Sequence, residues 1–91
     1  MPVIAIFYGI VIRMYSKDHP PPHFHAIYGG SEAMVDIASG RIVEGRLPPT
    51  AARLVSEWAG LHRDELFADW ERARAGMPLE KIAGLDAEQD R

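Results

Sequence analysis

Apolar and polar residues alternate along the first half of the chain and change period near residue 48. Residues 3–8 and 10–15 are dense in Val, Ile, Phe and Tyr, with Tyr8-Gly9 between them, which predicts an N-terminal β-hairpin. In the second strand Ile10, Ile12 and Met14 share one face, and Val11, Arg13 and Tyr15 share the other. The first set reads as core and the second as a mixed face.

"HFHAIYGGSEAMVDI" predicts a second hairpin. Gly29-Gly30 suits a two-residue type I′ turn, whose central positions both need positive φ. That turn sets the register. Tyr28 faces Ser31, His25 faces Met34, Phe24 faces Val35 and His23 faces Asp36. Phe24, Ala26, Tyr28, Ala33, Val35 and Ile37 then form a core face. His23, His25, Ile27, Glu32, Met34 and Asp36 form the opposite one, so both histidines are expected to point outward. A slip of one residue would bury the histidines and expose Phe24. Gly40 suggests a further hairpin: a three-residue loop places Val35 opposite Val43 and Met34 opposite Glu44, whereas a four-residue loop would put Ile42 and Glu44 in the core, and burial of a lone carboxylate favours the first.

Between the hairpins lies "SKDHPPP". Prolines lack N–H donors and are excluded from sheet and helix interiors. The Pro20–Pro22 run predicts an extended strut, and Asp18-His19-Pro20 reads as a turn start.

After Pro48 the period becomes helical. Thr50 is a candidate N-cap, and Ala51, Leu54, Val55, Trp58 and Leu61 form one stripe. Leu66, Phe67, Trp70 and Ala73 form another, out of phase with the first. Two helices, or one kinked between Gly60 and Asp64, are expected, with a stop at Gly76 before Pro78. Both tryptophans read as core anchors, and the charges of "HRDELFADWERARAG" as a solvated helix face. Leu79, Ile82 and Leu85 suggest a docking segment. The predicted fold is α+β: an antiparallel sheet of about five strands, made of two or three consecutive hairpins, then two C-terminal helices packed on one face. Residues 1–85 are expected to form a single domain, and 86–91 a flexible C-terminal tail.

Composition sharpens this picture in three ways. A chain of 91 residues with 47% hydrophobic and 25% charged residues is one small globular domain. The absence of cysteine excludes disulfides and thiolate metal sites. A net charge of −3 weighs against a broad nucleic-acid surface. No apolar run approaches the ~20 residues of a membrane span. The apolar N-terminus lacks the basic flank of a signal peptide, so a cytoplasmic protein with no membrane association is expected.

Three of the four histidines fall within "SKDHPPPHFHA". His23 and His25 lie on one strand face with Asp36 opposite His23. A carboxylate beside an imidazole orients the ring and raises its proton affinity. That arrangement suits general base catalysis, with Arg13 joining it if its strand neighbours the histidine strand. It suits equally a divalent metal such as zinc, held by His23, His25 and Asp36. His19 reads as part of the turn and His62 as a helix-end residue.

"FYGIVIRMYSKDHPPPHFHA", "YGGSEAMVDIASGRIVEGRLP" and "LVSEWAGLHRDELFADW" together resemble a bacterial family of short proteins known as domain of unknown function 4160. The likeness covers roughly residues 4–75. The resemblance implies no established activity, and associates the chain with small neighbouring proteins in toxin–antitoxin-like arrangements. The leading expectation is therefore a component that binds a small protein partner. The alternatives are a histidine-dependent, ribonuclease-type hydrolase using His23 and His25 with Asp36, which would act on RNA, and a divalent-metal-binding module. Self-association as a homo-oligomer is a further option.

Overall fold

The computed structural model describes residues 2–88. Five strands form one antiparallel sheet in chain order: β1 (Val3–Phe7), β2 (Ile10–Arg13), β3 (His23–Tyr28), β4 (Ser31–Asp36) and β5 (Ile42–Gly45). Helices α1 (Pro49–Leu61) and α2 (Arg63–Ala75) follow, then a short α3 (Leu85–Glu88). This is the expected α+β order of strands first and helices second.

Turn chemistry explains the consecutive pairing. Tyr8 and Gly9 have φ of 52° and 79°, the two positive values that a type I′ hairpin turn needs. At the next hairpin Gly29 has φ 57°, while Gly30 is not in the left-handed region. That pattern fits type II′, in which only the first central residue needs positive φ, rather than type I′. The predicted β3–β4 register holds in every pair from His23–Asp36 to Tyr28–Ser31.

The β4–β5 register holds only in part. Met34 pairs with Glu44, but a bulge then places Val35 opposite Ile42 instead of Val43. β5 ends at Gly45, whose φ of 76° is open to glycine and costly for other residues.

One sheet face is buried. Ile4, Phe7, Ile10, Ile12, Met14, Phe24, Ala26, Val35 and Ile37 pack with Val55, Trp58, Leu66 and Trp70 of the helices. The Trp58 ring lies 5.1 Å from Phe7 and 5.7 Å from Phe24, which places α1 over the sheet centre. Two residues assigned to the core by periodicity are exposed: Tyr28 at the strand end and Leu61 at the end of α1.

Thr50 does not cap α1. The cap position is Pro48, with Pro49 at the first helical residue, where its missing N–H costs no hydrogen bond. The two helices break at His62 (φ −118°), within the predicted segment, and α2 stops at Gly76 in the left-handed conformation.

The segment after α2 returns to the sheet. Ile82 N–H donates to Ile4 O (2.8 Å), and Trp58 Nε1–H donates to Ala83 O (2.8 Å). Asp69 corrects the reading of α2 as uniformly solvated. It is fully buried, and its Oδ1 accepts from Arg72 Nη1 (2.8 Å) and Glu80 N–H (2.9 Å). The expected tail, 86–91, begins inside α3, and residues 89–91 lie outside the described residues.

Candidate metal centre

The residues before β3 form the site. Lys17 adopts φ 61°, and the Pro20–Pro21 peptide is cis. The chain folds back, and Asp18 arrives beside the strand that starts at His23. Asp18 Oδ1 accepts its neighbour's N–H (His19, 3.0 Å), the turn-initiating bond expected of it. Its other oxygen, Oδ2, lies 2.9 Å from His23 Nε2 and 3.2 Å from His25 Nε2.

The carboxylate that reaches the histidines is therefore Asp18, where Asp36 was expected. Asp36 does stand opposite His23 in the ladder. Its side chain instead turns to its own loop and accepts Ser39 N–H at 2.9 Å. The two candidate histidines do converge, with ring centroids 5.3 Å apart. They do not both point into solvent. His23 is buried, 5.3 Å from the ring of Trp70, whereas His25 is only partly covered.

β2 neighbours β3, so the condition for including Arg13 is met. Arg13 pairs with His25 across the strands, and Tyr15 packs edge-on against the same imidazole at 4.5 Å. Arg13 Nε is buried and has no hydrogen-bond partner among the described residues. His19 stays at the turn with its side chain largely exposed, and His62 sits beside Trp58 and Glu65, remote from the cluster.

Proton counting constrains what this cluster can be. His23 Nδ1 lies 2.8 Å from Pro21 O, a carbonyl that can only accept, so Nδ1 carries hydrogen. His23 Nε2 then faces a carboxylate oxygen, also an acceptor. His25 shares only half of the pattern: its Nε2 faces Asp18, while its Nδ1 lies 3.4 Å from Glu32 Oε2 without a hydrogen bond. Burial pushes the Asp18 carboxyl up, but the hydrogen bonds from His25, the His19 N–H and His23 outweigh it and hold the group below its ordinary value of 3.8. Asp18 is thus ionised at neutral pH. Two arrangements satisfy all these atoms. Either His23 carries hydrogen on both ring nitrogens while His25 donates its Nε2–H alone, or a metal cation accepts the Nε2 lone pairs and the carboxylate together.

The 2.9 and 3.2 Å contacts are direct hydrogen-bond distances, and they are also compatible with the second arrangement. The ligating atoms of Asp18, His23 and His25 all lie within 4.8 Å of one another. For metal–nitrogen and metal–oxygen bonds of about 2.0–2.1 Å, neighbouring ligand atoms are separated by roughly 2.9 Å in octahedral and 3.3 Å in tetrahedral sites. The Asp18–His separations of 2.9 and 3.2 Å fall in that range. A histidine that donates Nδ1–H to a carbonyl or carboxylate while presenting Nε2 is the usual orientation of a metal-bound imidazole. Pro21 O takes that orienting position for His23. Solvent reaches the ligands from two sides. His25 and Glu32 line an open groove with Met34 and Glu44, and Asp18 lines a separate cleft with Lys17 and Arg74.

Fold and site define a small α+β protein with a two-histidine, one-carboxylate cluster at one end of its sheet. The chain belongs to the family described as Domain of unknown function (DUF4160), whose model matches residues 9–71 and so contains all three cluster residues. No curated protein and no solved structure matches it. No helix among the described residues is long and apolar enough to cross a membrane.

Proposed function

We propose that this protein binds a divalent transition metal through Asp18, His23 and His25. The observation that carries the reading is the convergence of both Nε2 atoms on one oxygen of an ionised Asp18, while His23 Nδ1 is already taken by Pro21 O. Burying an imidazolium at His23 is costly, and a shared cation removes that cost. Three protein ligands leave a coordination position for water or a ligand, as in catalytic rather than closed structural sites.

The same bonding disfavours His23 as the general base of a metal-free hydrolysis. A general base needs a ring nitrogen free to take a proton, and both nitrogens of His23 are already engaged.

Titration of untagged, metal-free protein with cobalt(II), followed by absorbance and by metal analysis, tests the proposal. One equivalent bound, with zinc displacing it, is the expected result. At free zinc about 100-fold above Kd the fold gains about 2.7 kcal/mol, read as a rise in Tm. Absence of stoichiometric binding, or equal binding by His23→Ala and His25→Ala, would sink the proposal.

A second reading, a partner-binding component of the toxin–antitoxin kind, is favoured by β5. This edge strand exposes Ile42 and Val43 along an unpaired backbone, a surface suited to strand addition by another chain. Loss of partner capture on Val43→Lys, with metal binding intact, would support it.

A further inference from the structure

Asp18 has a second environment besides the imidazoles. With Lys17, His19, Pro20 and Arg74 it lines an open cleft of about 360 Å³. Lys17 and Arg74 are exposed and have no ion-pair partner among the described residues. Two unpaired cations meeting at one cleft stand out in a chain whose net charge is −3. They come from separate elements, the loop after β2 and the last turn of α2, so the convergence is tertiary and not a run of charge in the sequence.

Lys17 adds a second observation. It holds φ 61°, a conformation that glycine adopts freely and that strains a lysine. A long cationic side chain is thus kept at a position where backbone strain alone would favour glycine, next to the carboxylate of the cluster.

We propose that this cleft binds the phosphate group of a small phosphorylated molecule, with Lys17 and Arg74 holding its oxygens beside the metal at Asp18. The proposal builds on the metal reading for the chemistry, but the cleft can be tested separately. Arg offers a forked pair of N–H donors that matches phosphate oxygens, and Lys offers a compact positive charge. The size fits a small ligand rather than a polymer. The acidic surface elsewhere disfavours a long polyanion.

The test is calorimetric titration of inorganic phosphate into metal-free and cobalt-loaded protein, for the wild type and for the Lys17→Gln/Arg74→Gln variant. The expected result is phosphate binding by the wild type, weakened about tenfold or more in the variant. Cobalt affinity should be unchanged, and phosphate should perturb the cobalt absorption bands. Lys17→Gly serves as a folding control: it relieves the positive φ, so Tm should rise while phosphate binding weakens. Equal phosphate affinity in wild type and double variant, or no binding in either metal state, would overturn the proposal while leaving cobalt binding to stand on its own. Phosphate binding that depends on Lys17 and Arg74 in protein that takes up no cobalt would uphold the cleft and overturn the metal site.

Discussion

Asp18 Oδ2 lies 2.9 Å from His23 Nε2, although the residue opposite His23 in the sheet is Asp36. The nearest carboxylate by backbone register is thus not the one that contacts the imidazole. Exchanging each acid separates the two roles. Asp18→Asn should lower cobalt(II) or zinc affinity by about 10- to 100-fold, because an anionic ligand becomes a neutral one. Asp36→Ala should leave metal affinity unchanged. It should cost about 1 kcal/mol of stability through the lost hydrogen bond to Ser39 N–H, measured by urea denaturation.

The acid limb of stability should report Asp18 in metal-free protein. Its folded pKa lies below the ordinary carboxylate value, through bonds to His25, the His19 N–H and His23 that outweigh burial. A depressed folded pKa contributes stability that is present above the unfolded pKa and is lost as pH falls through the folded one. Wild type should therefore lose more stability than Asp18→Asn as pH drops from about 5 to about 3. Parallel profiles by denaturant titration would contradict the assignment.

The docking segment should depend on Trp58. Its indole N–H is bonded to Ala83 O, so Trp58→Phe leaves that carbonyl without its donor and opens space in the core. A loss of about 2–4 kcal/mol is expected, together with faster amide exchange at Ile82, whose N–H is bonded to Ile4 O.

Gly45→Ala should be among the most damaging small substitutions. A Cβ there would stand 2.2 Å from Glu32 O at a φ of 76°. Backbone strain and the clash together predict a loss of about 3 kcal/mol by thermal or chemical denaturation. Gly29→Ala meets no atom within 4 Å and carries only the strain of its φ, so it should cost less.

Arg13 allows a test of a polar atom rather than of a fold contact. Its Nε is buried without a partner, and Arg13→Met keeps the stem while removing that donor. Stability should be unchanged or raised by about 1 kcal/mol, since an unsatisfied buried donor disappears. A loss above about 2 kcal/mol would mean that the guanidinium makes an essential contact through its other nitrogens.

Much of the sheet was legible in the chain because its determinants are local. A two-residue glycine turn sets the pairing of Phe24 with Val35, and alternation then assigns the faces from His23 to Asp36. Apolar period and glycine placement likewise mark the break at His62 and the stop at Gly76. Burial was less legible at element ends. Tyr28, Leu61 and His23 depart from what period alone assigns, because coverage there depends on which other element passes over the end.

The sequence by itself determined the α+β order, the positions of the first two hairpin turns and the presence of His23 and His25 at alternate positions of one strand. Tertiary structure decided which groups meet them. The return of Asp18 depends on the Lys17 backbone and the proline loop, and the approach of Arg74 depends on how α2 packs. These are long-range placements of side chains, set by loop geometry and packing, to which residue periodicity is blind.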